Sequence, residues 1–142
     1  MSASNGIDFV FSENQDPSQV LRFLLANGWS LDVCGKVKYV VPANIRSDDF
    51  EWRDEPIESF DYETYLEESR KQKCLCLQMV GSGEEYGADF RIMETGGRLN
   101  IWDTIIALPG NSRIADFSWY LRKLSAMFRE FKVHELKCSY SN

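Results

Sequence analysis

Two cysteines one residue apart, Cys74 and Cys76, and the single histidine, His134, are the residues best suited to metal or nucleophilic chemistry. Structural zinc sites use cysteine pairs two to four residues apart and need four ligands. Cys74 and Cys76 instead lie within an apolar run, where free thiols behave as small hydrophobic side chains. His134 lies four residues before Cys138 on a predicted strand, about 13 Å away by the strand rise, so these two cannot form a dyad. We therefore predict no metal site and no catalytic residue.

A glycine-rich segment, Gly81-x-Gly83 with Gly87, superficially resembles a phosphate-binding loop. Such a loop should open a helix, whose N-terminus holds the anion. Here the segment precedes an alternating strand pattern, and Glu84 and Glu85 would repel a phosphate group. The segment is therefore predicted to be a hairpin turn, and no cofactor is expected.

The acidic residues are concentrated in one segment, residues 48–68. It carries ten acidic residues against one basic residue, Arg53, for a charge of 1 − 10 = −9. The whole chain carries −6, so the remainder carries −6 + 9 = +3. Calcium loops need acids at fixed offsets and a glycine at the sharp turn, and residues 48–58 contain no glycine. A catalytic carboxylate pair cannot be selected from so many acids by spacing.

Trp52 lies between acidic residues on both sides, which favours recognition of a basic protein over other uses of this segment. Tryptophan is costly to expose and is enriched at the centres of protein interfaces. Clustered charge also accelerates association with an oppositely charged partner. A solvated loop that only keeps the protein in solution is the alternative. The predicted partner-binding residues are Asp48, Asp49, Glu51, Trp52, Asp54, Glu55 and Glu58.

Composition restricts the classes of partner and location. The chain has 142 residues, of which 44% are hydrophobic, enough for a core. Its net negative charge disfavours nucleic acid and anionic membranes, and no apolar run approaches the roughly 20 residues of a membrane span. The N-terminal sequence has no signal-peptide pattern. The four cysteines are interpreted as reduced thiols, so a cytoplasmic location is expected.

Helix signals occur at three places. Asp16-Pro17 predicts a helix start, because an N-cap acid precedes proline, and Asn27-Gly28 predicts its end. Residues 61–73 predict a second helix with acids at its start and bases at its end. A third helix is predicted over about 112–131, with Asn111 or Ser112 as its cap. Its apolar stripe has helical spacing and comprises Ile114, Phe117, Leu121, Leu124, Phe128 and Phe131.

Strands are predicted where apolar and polar residues alternate, at about 7–11, 29–33, 37–41, 88–92, 99–101 and 134–140. Cys34-Gly35 and Gly96-Gly97 are predicted to be hairpin turns. The apolar run 74–80 predicts a central strand covered on both faces. Residues 43–60 lack a clean period and are predicted to form a long acidic loop. The combined pattern predicts one α+β domain over residues 1–142, a mostly antiparallel sheet with two or three helices packed on it.

A compact acidic α+β domain with no active site and one patch of acids and aromatics resembles the bacterial immunity proteins. These inhibitors protect a cell from its own contact-dependent or secreted polymorphic toxins. The resemblance concerns the general character of the whole chain. It implies a non-enzymatic antitoxin that binds a cognate toxin with a basic surface, for which a nuclease is one candidate. The acidic patch would then cover the basic cleft.

Two other functions stay open from the sequence. A cytosolic secretion chaperone or adaptor is similar in size and acidity, and would hold an extended effector segment, commonly as a homodimer. A small enzyme would need a ligand pocket lined by His134 and carboxylates. The sequence leaves the homo-oligomeric state and the toxin's activity open.

Overall fold

The fold is that of a computed structural model, which describes residues 4–102, 105–107, 113–115 and 117–141. These residues form three α-helices, α1 (Pro17–Ala26), α2 (Tyr62–Gln72) and α3 (Ser118–Glu130). Short 3-10 turns occur at Pro42–Asn44 and Ile57–Ser59. The strands are β1 (Ser4–Phe11), β2 (Trp29–Ser30), β3 (Lys36–Val40), β4 (Trp52–Pro56), β5 (Cys74–Gly81), β6 (Gly87–Met93), β7 (Gly96–Ile101), β8 (Ile105–Ala107), β9 (Arg113–Ala115) and β10 (Val133–Ser141).

Eight of these strands form one antiparallel sheet, in the order β10-β1-β7-β6-β5-β3-β4, with β2 pairing separately with β5. Strands β8 and β9 form a separate two-stranded hairpin. β5 lies inside the sheet and is largely buried, as its apolar sequence predicts. The predicted α+β class, with a mostly antiparallel sheet and packed helices, is confirmed.

The three helices contribute to one hydrophobic core on a single face of the sheet, which we call the helical face. Alternate residues of neighbouring strands, such as Ile7, Leu99, Phe90 and Leu77, are aligned across that face by the strand register. Helices α1 and α2 each begin after an acidic N-cap residue, at the positions where the sequence predicts a helix start. Asp16 accepts a hydrogen bond from the Ser18 amide at 2.9 Å. Asp61 caps α2 in the same way.

The predicted start of α3 is wrong, and its predicted buried stripe is only partly correct. The helix begins at Ser118, and Ile114 belongs to β9. The buried residues are Tyr120, Leu124, Met127 and, just after the helix, Phe131, whereas Phe117, Leu121 and Phe128 are only partly buried. The observed stripe is therefore rotated around the helix axis relative to the prediction, although both stripes contain Leu124 and Phe131, and Phe117, Leu121 and Phe128 still pack against the core. The predicted caps, Asn111 and Ser112, lie outside the described residues.

Two predictions about residues 29–60 also need correction. The predicted hairpin of 29–33 with 37–41 is reduced to the single bridge Val33–Lys36, and β2 pairs with β5 instead. Cys34 and Gly35 do form a tight turn with positive φ of 54° and 82°. The segment 43–60 is not only a loop, because it contains β4 and two 3-10 turns.

Candidate partner-binding surface

The predicted partner-binding residues lie on and beside β4, which forms one edge of the sheet. We call residues 48–58 the acidic edge. Among the strands that the structure describes, β4 pairs only with β3, in a register that places Trp52 opposite Val40 and Glu55 opposite Val37. An edge strand leaves one side of its backbone without a partner strand. The acidic edge therefore offers both its side chains and a strand edge to another molecule.

Two aromatic rings form the apolar part of the acidic edge. Phe50 and Trp52 pack edge to face, with ring centroids 6.2 Å apart. Phe50 is 40% exposed and Trp52 is 39% exposed, so neither ring belongs to the core. Ile57, at the far end of the segment, is also exposed. Trp52 was among the predicted partner-binding residues, whereas Phe50, two residues earlier in the same acidic segment, was not.

The acidic residues of the acidic edge differ in their exposure and hydrogen bonding. Glu55 is the exception among them, because it is half-buried and accepts a hydrogen bond from the Tyr39 hydroxyl. Burial, the hydrogen bond to Glu55 and the charge of Glu55 together raise the pKa of Tyr39 to about 12, so the phenol stays a donor at neutral pH. The remaining acids are exposed: Asp48, Asp49, Glu51, Asp54 and Glu58.

A small second core supports the start of the acidic edge on the opposite face of the sheet. Val40, Ile45, Cys74 and Cys76 are buried there, with Met93 packed against them. The segment before β4 folds over this cluster. Its turn is closed by the Ser47 hydroxyl, which accepts from the Asp49 amide at 3.1 Å and donates to the Asn44 carbonyl at 3.2 Å. The two leading aspartates are therefore presented by a hydrogen-bonded turn anchored on buried side chains.

A hollow of about 230 Å³ opens beside β4 on the helical face. Its apolar wall consists of Tyr39, Phe60 and Tyr65, whose ring centroids are 5.1–5.6 Å apart. Glu55, Asp61 and Glu68 also line it. The hollow was not predicted from the sequence, because Tyr39 and Glu55 lie on different strands and come together only in the fold.

The two cysteines of the Cys74-x-Cys76 pair are buried, as their apolar surroundings predict. Burial raises the pKa of both thiols, to about 12 for Cys76. Cys34 and Cys138 are exposed, and all four cysteines are free thiols. Among the residues that the structure describes, no cluster of three or more His, Cys, Asp or Glu side chains is arranged to hold a metal ion.

Thiol reactivity should divide the cysteines into two classes. In the native protein at pH 8, a thiol reagent should modify the exposed Cys34 and Cys138, Cys138 more slowly because partial burial and the charge of Asp8 raise its pKa. Cys74 and Cys76 should react only on unfolding, because they are buried and their raised pKa keeps them neutral. Titration of the denatured protein without reductant should count all four cysteines. A denatured count near two would reveal a disulfide and contradict the interpretation of reduced thiols.

The other two sequence candidates lie away from the acidic edge. His134 is exposed on β10, at the opposite end of the sheet from β4, and its imidazole Nε2 lies 3.9 Å from Glu135. The glycine segment forms the turn between β5 and β6, as predicted, and leads into a strand. The structure therefore does not bring His134 and the acidic edge together.

Comparisons with known proteins identify no relative. No protein-family model matches the chain, and searches of curated proteins and of solved structures give no significant match. In the part of the chain that the structure describes, no helix combines the length and apolarity needed to cross a membrane. The function is therefore inferred from the residues of this chain alone.

Proposed function

We propose that this chain is a binding protein that captures and neutralises a basic protein through the acidic edge. The observation that carries the proposal is the exposed pair Phe50 and Trp52 within the acidic edge. Because the chain resembles the immunity proteins in its general character, the proposed basic partner is a toxin that this chain neutralises. A secretion chaperone is the alternative function.

The aromatic pair supports recognition because exposure of two large rings has no evident benefit for folding. Trp52 belongs to neither buried cluster and is not among the partly buried residues that pack against them, and more than a third of its surface is exposed. Apolar anchors surrounded by polar residues are typical of interface centres. A segment that only improved solubility would be expected to lack them.

The acids support a basic partner through their clustering. Residues 48–58 hold six acids against Arg53, a charge of 1 − 6 = −5. A surface of one sign raises the rate of encounter with an oppositely charged surface. Charged residues also protect sheet edges from pairing with other chains, and this rival role would explain the acids but not Phe50 and Trp52.

Charge reversal separates these two roles. Replacing Asp48 and Asp49 together with lysine should slow association with the basic partner about tenfold at low salt, because steering by exposed charge acts on the on-rate. The effect should shrink at physiological ionic strength, where charges are screened within about 8 Å. Replacing Glu84 and Glu85 with lysine, which makes the same change of charge in the β5–β6 turn, is the matched control. Equal effects of both variants would exclude local steering by the acidic edge.

The function itself is tested by neutralisation. The gene beside this one is the first source of a candidate partner, and growth arrest on its expression would identify a toxin. Co-expression of the chain should restore growth, and the purified pair should form a stoichiometric complex. Failure to protect against a toxin that binds the chain would exclude immunity. Binding only to an unfolded segment of the partner would favour the chaperone alternative.

A further inference from the structure

We propose that the hollow beside β4 receives the side chain of an arginine from the partner protein. This inference deepens the proposed function and rests on it, because the hollow adjoins the acidic edge and shares Glu55 with it. The hollow is smaller than the roughly 300–1,000 Å³ of pockets for drug-sized ligands. Its size of about 230 Å³ suits one long side chain.

Charge identifies the occupant as a cation. Three carboxylates, those of Glu55, Asp61 and Glu68, are among the residues around the hollow, and none of its described lining residues is basic. Two cations lie around it: the Lys71 ammonium is 3.9 Å from Glu68 on the exposed surface of α2, and Arg53 lies opposite Tyr39 in the strand register, where its charge acts on the Tyr39 hydroxyl without lining the hollow. A neutral or anionic side chain that entered the hollow would displace the water around these carboxylates without supplying a positive charge to balance them.

The walls of the hollow are held in place before any ligand enters. The Tyr65 hydroxyl is bound to the sheet: it accepts from the Cys76 amide at 3.1 Å, and its single proton is shared between the carbonyls of Cys76 at 2.9 Å and Val40 at 3.1 Å. Asp61 accepts from the Thr64 hydroxyl at 2.8 Å and from its amide at 3.1 Å, and these bonds lower the pKa of Asp61. A fixed site requires little ordering on binding.

The chemistry of the lining favours arginine over lysine. A guanidinium group is planar, stacks on aromatic rings and binds carboxylates with two parallel hydrogen bonds. The rings of Tyr39 and Phe60 provide the stacking surface, and Glu55 provides a carboxylate already oriented by the Tyr39 hydroxyl. The apolar stem of the arginine would lie along Val41 and Pro42.

The test uses a single-residue probe on the intact chain, N-acetyl-L-arginine methylamide, with the neutral citrulline analogue as its control. Amide resonances of residues 53–68 should shift saturably with the arginine probe in nitrogen-edited NMR spectra at low salt. Glu55→Gln, which retains an acceptor for Tyr39, should weaken probe binding about tenfold, because a charge-assisted hydrogen bond is lost. Glu85→Gln removes the same charge from the β5–β6 turn and should leave binding unchanged.

Three results would overturn the inference: equal shifts with the citrulline probe, arginine shifts spread over all acidic surfaces, or no effect of Glu55→Gln. Glu68→Gln serves as a second variant if Glu55→Gln lowers the melting temperature. The proposed function fails differently. If the probe does not bind in the hollow but Trp52→Ala still accelerates release of the partner, only this inference fails. If the probe binds but changes at Asp48, Asp49 and Trp52 leave the partner unaffected, the proposed function fails, and the hollow stands only as a site for an arginine side chain.

Discussion

Replacement of Trp52 with alanine is expected to accelerate release of the basic partner by about thirtyfold, since a buried aromatic anchor contributes roughly 2 kcal/mol or more at an interface. The indole is 39% exposed in the free chain and packs on Phe50, so a partner can cover both rings at once. The association rate and its salt dependence should change little, because no charge is removed. Surface plasmon resonance at several salt concentrations measures both rates.

Stability measurements separate an interface role of Trp52 from a structural one. Removal of an exposed side chain usually changes the free energy of unfolding by less than about 0.5 kcal/mol. The matched control is Tyr86→Ala, because Tyr86 is equally exposed and also packs on another aromatic ring, that of Trp119. A lower melting temperature for Trp52→Ala, with unchanged release from the folded fraction, would remove Trp52 from the recognition surface.

Features set by neighbours in the chain were predictable from the sequence. The caps at Asp16 and Asp61, the tight turn at Cys34-Gly35 and the central strand β5 all depend on local residue types. The concentration of acids around Trp52 was equally visible. These features gave the fold class and the place of the candidate surface.

Features set by distant residues were not predictable. β4 has charged residues at Arg53, Asp54 and Glu55 and ends in proline, so its sequence lacks the apolar alternation of a strand. It becomes a strand because it pairs with β3. The hollow has the same origin, since it is built from β3, the 3-10 turn after β4, and α2. The strand order of a sheet cannot be read from periodicity.

The buried side of α3 shows a further limit of periodicity. Apolar residues at helical spacing occur on two overlapping faces, one through Leu121 and one through Tyr120 and Met127, and both include Leu124. Helical spacing alone ranks them equally. Packing decides between them: the Tyr120 hydroxyl donates to the Gly87 carbonyl at 2.7 Å, deep under the helix. The register of α3 therefore depends on β6, which the helix sequence does not encode.

Replacement of Leu124 with alanine should lower the free energy of unfolding by about 2–5 kcal/mol, because a buried leucine leaves a cavity when truncated. Leu124 is fully buried, and the rings of Phe128 and Phe131, on the following turns, lie 6.1 Å and 6.4 Å from Phe9 and Phe11 of β1. The denaturant midpoint should fall without a change in slope.

The matched control, Leu121→Ala, tests the observed rotation of the helix. Leu121 is only partly buried, so its loss should cost less than the loss of Leu124. Equal costs would favour the stripe predicted from the sequence, and a cost below about 1 kcal/mol for Leu124→Ala would place this face against solvent or a partner. α3 contacts β6 through Tyr120 and β1 through Phe128, and these strands lie three and five positions from β4 in the sheet order, so release of the partner from folded Leu124→Ala protein should match that of the unsubstituted chain. Stability and recognition would then be shown to depend on separate parts of the same sheet.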